Sequence, residues 1–180
     1  ALYGDKAHPA WLDMVHFEQI HERSSLFDYE IAPHFHDGQI QLLYVTQGGG
    51  EVFIDGARWP LAPRTLIVVP ARHVHGFHFT PDIDGPVVTA AQRPLESLAA
   101  VATPGVLPHL RRPLVLSVPD SVRHADALMP LFEAIAREVR AHSGGDVAAG
   151  SALLLAVFVQ IARIARALHA ADGDDVAARS

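Results

Sequence analysis

The hydrophobic pattern changes texture near the middle of the chain. Over residues 15–91, short apolar runs are broken by Pro, Gly and Asp; over residues 96–169 the sequence is Ala-rich with helical spacing. In the first half, Ser25, Phe27, Tyr29 and Ile31 alternate with Leu26, Asp28 and Glu30, and this period of two predicts a strand. Residues 40–46 form an apolar run ended by Gln47-Gly48-Gly49-Gly50. Residues 51–54 lead into Asp55-Gly56, a hairpin signal because both positions tolerate positive φ. Residues 66–69 predict a strand closed by Pro70. His73, His75, Phe77 and Phe79 alternate with Val74, Gly76 and His78, and residues 87–90 predict one more strand after the turn at 81–85. Many short strands at close spacing predict an antiparallel barrel or sandwich.

In the second half, residues 94–102 predict a short helix. Residues 104–119, with Pro104, Pro108, Pro113 and Pro119, form a connector with a strand at 114–118. Asp120 or Ser121 can cap the next helix, whose apolar stripe is Val122, Leu128, Met129, Phe132, Ile135 and Val139. Ser143-Gly144-Gly145 ends it and Asp146 caps a last helix reaching about His169. Residues 153–161 of that helix are apolar all round, so it must be covered on more than one side. One cover is the preceding helix; the other is the barrel or a second subunit. On that ground Leu155, Phe158, Val159 and Ile161 are expected at a homodimer interface. Its most lipid-like stretch, residues 152–159, is far shorter than the roughly 18 residues a spanning helix needs, so no membrane contact is expected. The expected fold is α+β, a small antiparallel barrel followed by two long antiparallel helices. Its expected divisions are an arm at 1–16, a barrel at 17–92, a connector at 93–119, a helix pair at 120–170 and a flexible tail at 171–180.

Composition narrows the function classes. Of 180 residues, 49% are hydrophobic and only 19% charged, which excludes disorder as the dominant state. A net charge of −6 gives no basic footprint for nucleic acid. No cysteine is present, which excludes disulfides, thiolate catalysis and Cys-type zinc sites. A reducing cytoplasm is the expected compartment, since residues 1–10 carry no apolar signal segment. Histidine is the unusual residue, with 12 copies.

Two constellations carry most of the chemistry. His34-Phe35-His36 precedes Gln41 by five residues and Gly48 by twelve; Pro70 precedes His75 by five. Alternate residues of a strand share a face, so His34 pairs with His36, and His73 and His75 with Phe77. This pattern resembles the two cupin motifs. The resemblance implies that His34, His36 and His75 point into the mouth of a β-barrel, with Gln41 where cupins keep an acid. Arg72 and Phe79 also depart from it, standing where cupins tend to have Gly and Asn. Three readings stay open: a zinc or iron site on His34, His36 and His75, a metal-free pocket that hydrogen-bonds an organic ligand, and buried histidines without a ligand role. The metal-free pocket is the preferred one, so no cofactor is assigned.

A narrower resemblance rests on residues 21–31, on Pro33-His34-Phe35-His36-Asp37, on Gln41-Leu42-Leu43-Tyr44, and on Val69-Pro70-Ala71 followed by residues 74–85. These resemble the effector-binding half of AraC-type transcription regulators, most of all the activators that respond to 4-hydroxybenzoate. What this implies is a sensor, not an enzyme: a barrel holding a small aromatic acid, and helices that form a homodimer. The expected effector site is His34, His36, Gln41 and His75, with Tyr29, Phe77 and Phe79 to stack on a ring and Arg23 and Arg72 to hold a carboxylate. Aromatics at strand period are more often ordinary core. DNA would be read only by a C-terminal helix-turn-helix domain, which the residues after His169 do not resemble. The alternative is a metal-dependent cupin enzyme, a small dioxygenase or isomerase.

Overall fold

A computed structural model describes residues 15–141 and 147–178. Its elements begin with β1 (His16–Gln19), α1 (Ile20–Ser25), β2 (Glu30–His34), β3 (Gln39–Val45), β4 (Gly50–Ile54) and β5 (Ala57–Leu61). They continue through β6 (Thr65–Val69), β7 (His75–Phe79), β8 (Pro86–Ala91), α2 (Gln92–Ala102), α3 (Leu107–Arg111) and β9 (Leu114–Ser117), and end with α4 (Leu128–Ala141) and α5 (Val147–Ala178). One sheet has the order β1-β8-β3-β6-β9 and the other β2-β7-β4-β5. All pairings are antiparallel. The expected barrel is therefore an open sandwich of two sheets; the α+β class stands.

Strand β3 explains the layering. Ile40, Leu42 and Tyr44 join a core shared with the helices, whereas Leu43 and Val45 join a second core shared with the facing sheet. A strand covered on both faces reads as a continuous apolar run. In the helical core, Tyr44 stacks on Phe132 of α4 with centroids 6.3 Å apart. Leu154, Val157, Phe158, Ile161 and Ile164 of α5 fill the same core. Strand β9 comes from the connector and pairs with β6, closing one end of the first sheet. The Arg64 guanidinium donates to the Val118 and Pro119 carbonyls and pairs with Asp120, tying the turn before β6 to the start of the helical layer.

Several expectations change. Residues 25–31 are not one strand. Ser24 donates its hydroxyl to the Ile20 carbonyl within α1, and the chain then turns through Asp28 and Tyr29 at φ 54° and 60°. Side chains in a helix and a turn do not alternate between two faces, so the period of two there was accidental. Neither Asp120 nor Ser121 caps a helix: a short 3₁₀ turn, Arg123–Ala127, precedes α4, and Val122 stands at its cap. Residues 171–178, expected as a flexible tail, continue α5 to Ala178, although Asp172, Gly173, Asp174 and Asp175 are poor helix formers. Leu155, Phe158 and Ile161 are buried inside the protomer, whereas Val159 is partly open. Residues 148–172 of α5 are long and apolar enough to cross a membrane by length and composition, more than the eight counted from sequence. Here Leu154, Val157 and Ile161 of that stretch lie in the protein core. Residues 1–14 of the arm, the helix stop at 143–145 and the cap Asp146 lie outside the described residues.

Candidate functional site

Three histidines meet where β2 and β7 pair. His34 ends β2 and lies opposite His75, the first residue of β7, after a register shift between Ile31 and His34. That shift brings β2 against Gly76. A Cβ there would stand 2.8 Å from the Ile31 carbonyl oxygen and 3.0 Å from the Pro33 nitrogen, so only glycine fits without moving β2. His36 lies two residues past the end of β2, where its carbonyl accepts the Arg72 N–H at 2.9 Å.

The rings converge, with centroids 4.4 Å apart for His34 and His75, 4.9 Å for His34 and His36, and 5.5 Å for His36 and His75. The Nδ1–H of His34 donates to the Ala32 carbonyl at 2.8 Å, and that of His75 to the His73 carbonyl at 2.9 Å. A carbonyl only accepts, so Nε2 of both rings carries a lone pair. The Nε2 atoms of His34 and His36 are 3.2 Å apart. His75 Nε2 is buried with no hydrogen-bond partner among the described residues. One ring nitrogen from each residue lies within 4.8 Å of the others, a spacing that fits a divalent metal ion. Backbone carbonyls that fix the far nitrogen are the usual support for imidazole ligands.

The cluster is neutral at pH 7. Burial first, then the charges of His34, His75 and Arg23, push His36 down to about 4. Burial also pushes His75 down to about 4, against the Nδ1 hydrogen bond to His73. His34 is lowered by burial, opposed by its bond to Ala32.

Beside the cluster lies a closed cavity between the sheets. His34 and Gln41 line it with Arg23, Phe77 and Phe79, and Ile20, Ile31, Leu43 and Val87 complete the wall. Gln41 is 2% exposed, and its amide N–H donates to the Thr89 hydroxyl at 3.4 Å. The Phe77 and Phe79 rings stack with centroids 5.0 Å apart. Arg23 reaches in from α1 with its side chain 9% exposed and pairs with Glu18 of β1 at 3.5 Å. The cavity volume is about 10 Å³, room for one water at most. Roomier hollows are open surface grooves. One of about 770 Å³ lies along Phe27, Pro33, Phe53 and His78, and one of about 630 Å³ along Asp37, Arg72 and Gln92.

The structure thus brings together Arg23, His34, His36, Gln41, His75, Phe77 and Phe79. Two expected residues fall outside. Tyr29 leaves the cavity wall because it sits in the turn after α1, its ring 5.9 Å from that of His21. Arg72 is 78% exposed at φ 68° and pairs with Asp37 at 3.1 Å. His73 does not share the inner face with His75; it precedes β7, and its ring meets Asp55 at 2.6 Å. Sequence reasoning missed Glu18, Ile20 and Thr89. No local signal marks the first two, because β1 and α1 carry no periodicity of useful length. Thr89 is found only by its register opposite Gln41.

No curated protein matches the chain. Among solved structures, KdgF from Halomonas sp. is 31% identical over 36% of this chain and 59% of its own, with a TM-score of 0.33. SPY1581 from Streptococcus pyogenes is 24% identical over 34% of this chain and 54% of its own, with a TM-score of 0.31. The chain therefore spans little more than half the length of these two relatives. ToxT from Vibrio cholerae O395, bound to (E)-4-(8-methylnaphthalen-1-yl)but-3-enoic acid, is 8% identical over 82% of this chain and 54% of its own, with a TM-score of 0.47. A family profile described as AraC-like ligand binding domain matches residues 16–158, from the first strand through the middle of α5. The chain accordingly belongs to the AraC-like ligand-binding domain family.

Proposed function

We propose that this chain is the effector-sensing and dimerising part of an AraC-type transcription regulator in the cytoplasm, with no catalytic role. Its effector is a small aromatic carboxylic acid, 4-hydroxybenzoate being the first candidate. DNA is read by a separate helix-turn-helix domain. The observation that carries the proposal is the cavity between the sheets, where a buried guanidinium, an imidazole and an amide face a stacked pair of phenylalanines. Arg23 matches a carboxylate. Phe77 and Phe79 match a ring, and His34, Gln41 and the neighbouring His75 match a hydroxyl. The closed cavity is too small for a benzoate, so binding must open it. The ligand then selects an opened arrangement, and its differential affinity limits how far the population moves. Helix α1 supplies Ile20 and Arg23 to the wall and is only six residues long, which makes it the natural part to shift.

Calorimetry with 4-hydroxybenzoate tests the reading. Binding below millimolar is expected. His75→Ala should weaken it roughly tenfold to a hundredfold, as expected for loss of one buried polar partner. His169→Ala, on the exposed end of α5, should leave it unchanged. Absence of binding to any hydroxybenzoate, or an unaltered His75→Ala, overturns the proposal. The convergence of the three imidazoles favours a second reading, a metal-dependent cupin enzyme. That reading gains if one zinc or iron per chain co-purifies and chelation abolishes function. The sensor reading expects less than one tightly held metal per chain.

A further inference from the structure

We propose that His34, His36 and His75 take up a divalent metal ion cooperatively with the anionic effector, so that each ligand strengthens the binding of the other. This rests on the effector reading above and adds a second ligand to it: with the Nε2 lone pairs of His34 and His75 on the metal, Gln41 is left to meet the effector hydroxyl. The cluster supplies nitrogen donors: their ring nitrogens lie within 4.8 Å, and His75 Nε2 is buried without a partner among the described residues. What it lacks is negative charge. The residue in the acid's position is Gln41, whose amide is neutral and already engages Thr89.

The surroundings make the deficit larger. The positive charge of Arg23 acts on all three rings. Two acids oppose this only in part: Asp55 acts on His75 alone and already accepts from His73 and from the Val74 N–H, and Glu18, its side chain 46% exposed, meets Arg23 at 3.5 Å. A divalent ion entering alone would meet neutral ligands beside a guanidinium in a poorly solvated site, where like charges repel strongly. An effector carboxylate in the adjoining cavity offsets both charges at once. Metal and acid therefore favour each other, and the coupling is reciprocal by thermodynamic linkage.

The experiment uses Co²⁺ and Zn²⁺ as metals, and 4-hydroxybenzoate and acetate as acids. The Co²⁺ dissociation constant is read from its visible absorption with and without acid; the acid constant is read by calorimetry with metal and in chelator. At least tenfold tighter binding is expected in both directions, with the same factor. Gln41→Glu supplies the missing charge inside the protein. It should bind Co²⁺ tightly without acid and shrink the coupling to near unity. Wild-type measurements carry the test if that variant fails to fold. Equal acid affinity in metal and in chelator overturns the coupling and leaves the effector reading standing. Coupling to acetate without binding of any aromatic acid overturns the effector reading and leaves the metal site standing. Absence of a Co²⁺ spectrum with either acid present overturns the proposal.

Discussion

Single residues decide whether the three rings meet. Gly76 lets β2 approach β7, so Gly76→Val should displace His34 from His75 and remove acid binding while leaving the helical layer folded. Calorimetry and far-ultraviolet circular dichroism together check this; retained binding would refute it. The same rings make stability depend on pH. His36 and His75 titrate near 4 when folded and near 6.5 when unfolded. As pH falls below 6.5 the unfolded chain takes the protons first. Stability is therefore complete above 6.5, declines between 6.5 and 4, and levels off below. For His75, 1% exposed, the loss by pH 4.5 is on the order of 2 kcal/mol. Urea midpoints in chelator should show this decline, and His36→Gln/His75→Gln should flatten it. An equal slope in the double variant would show that carboxylates alone cause it.

At the scale of elements, burial divides what sequence could reveal from what it could not. Strands β3, β4, β6 and β8 were legible because each carries a run of apolar residues between turn residues, and β7 from the alternation of His75, Phe77 and Phe79 with Gly76 and His78. Helix α4 was legible from its stripe. Strand β1 and helix α1 were not, since four and six residues are too few to establish a period. That gap matters, because Arg23 and its partner Glu18 sit there. His34, His36, Gln41 and His75 were singled out through the resemblance to the cupin motifs, whereas Tyr29 was misplaced with the false strand. Helix α5 was legible as a buried helix, but its cover was not: sequence cannot tell a neighbour in the same chain from one in another. Phe158 lies in the protomer core, so Phe158→Ala should cost about 3–5 kcal/mol in denaturant unfolding. Leu155→Glu should unfold the protomer instead of splitting a dimer into folded halves. A folded monomeric Leu155→Glu protein in light scattering would restore that residue to the interface.

For the whole molecule, the helical layer is where a second subunit is proposed to dock, on the partly open side chains of Leu153 and Val159. Light scattering should show a dimer at tens of micromolar; a stable monomer at high micromolar would contradict it. Sensing and pairing cannot, however, be separated by cutting the chain where the β-rich sequence ends. Strand β9 lies beyond α2 and α3 yet covers the flank of β6 through four paired positions, Thr65 to Val68. A fragment ending after β8 would present that flank, Thr65 to Val68, as a bare, largely apolar edge with unpaired N–H and C=O groups, a template for strands of other molecules. Such a fragment is expected to form aggregates by strand addition, whereas one extended through residue 141 keeps its edge shielded.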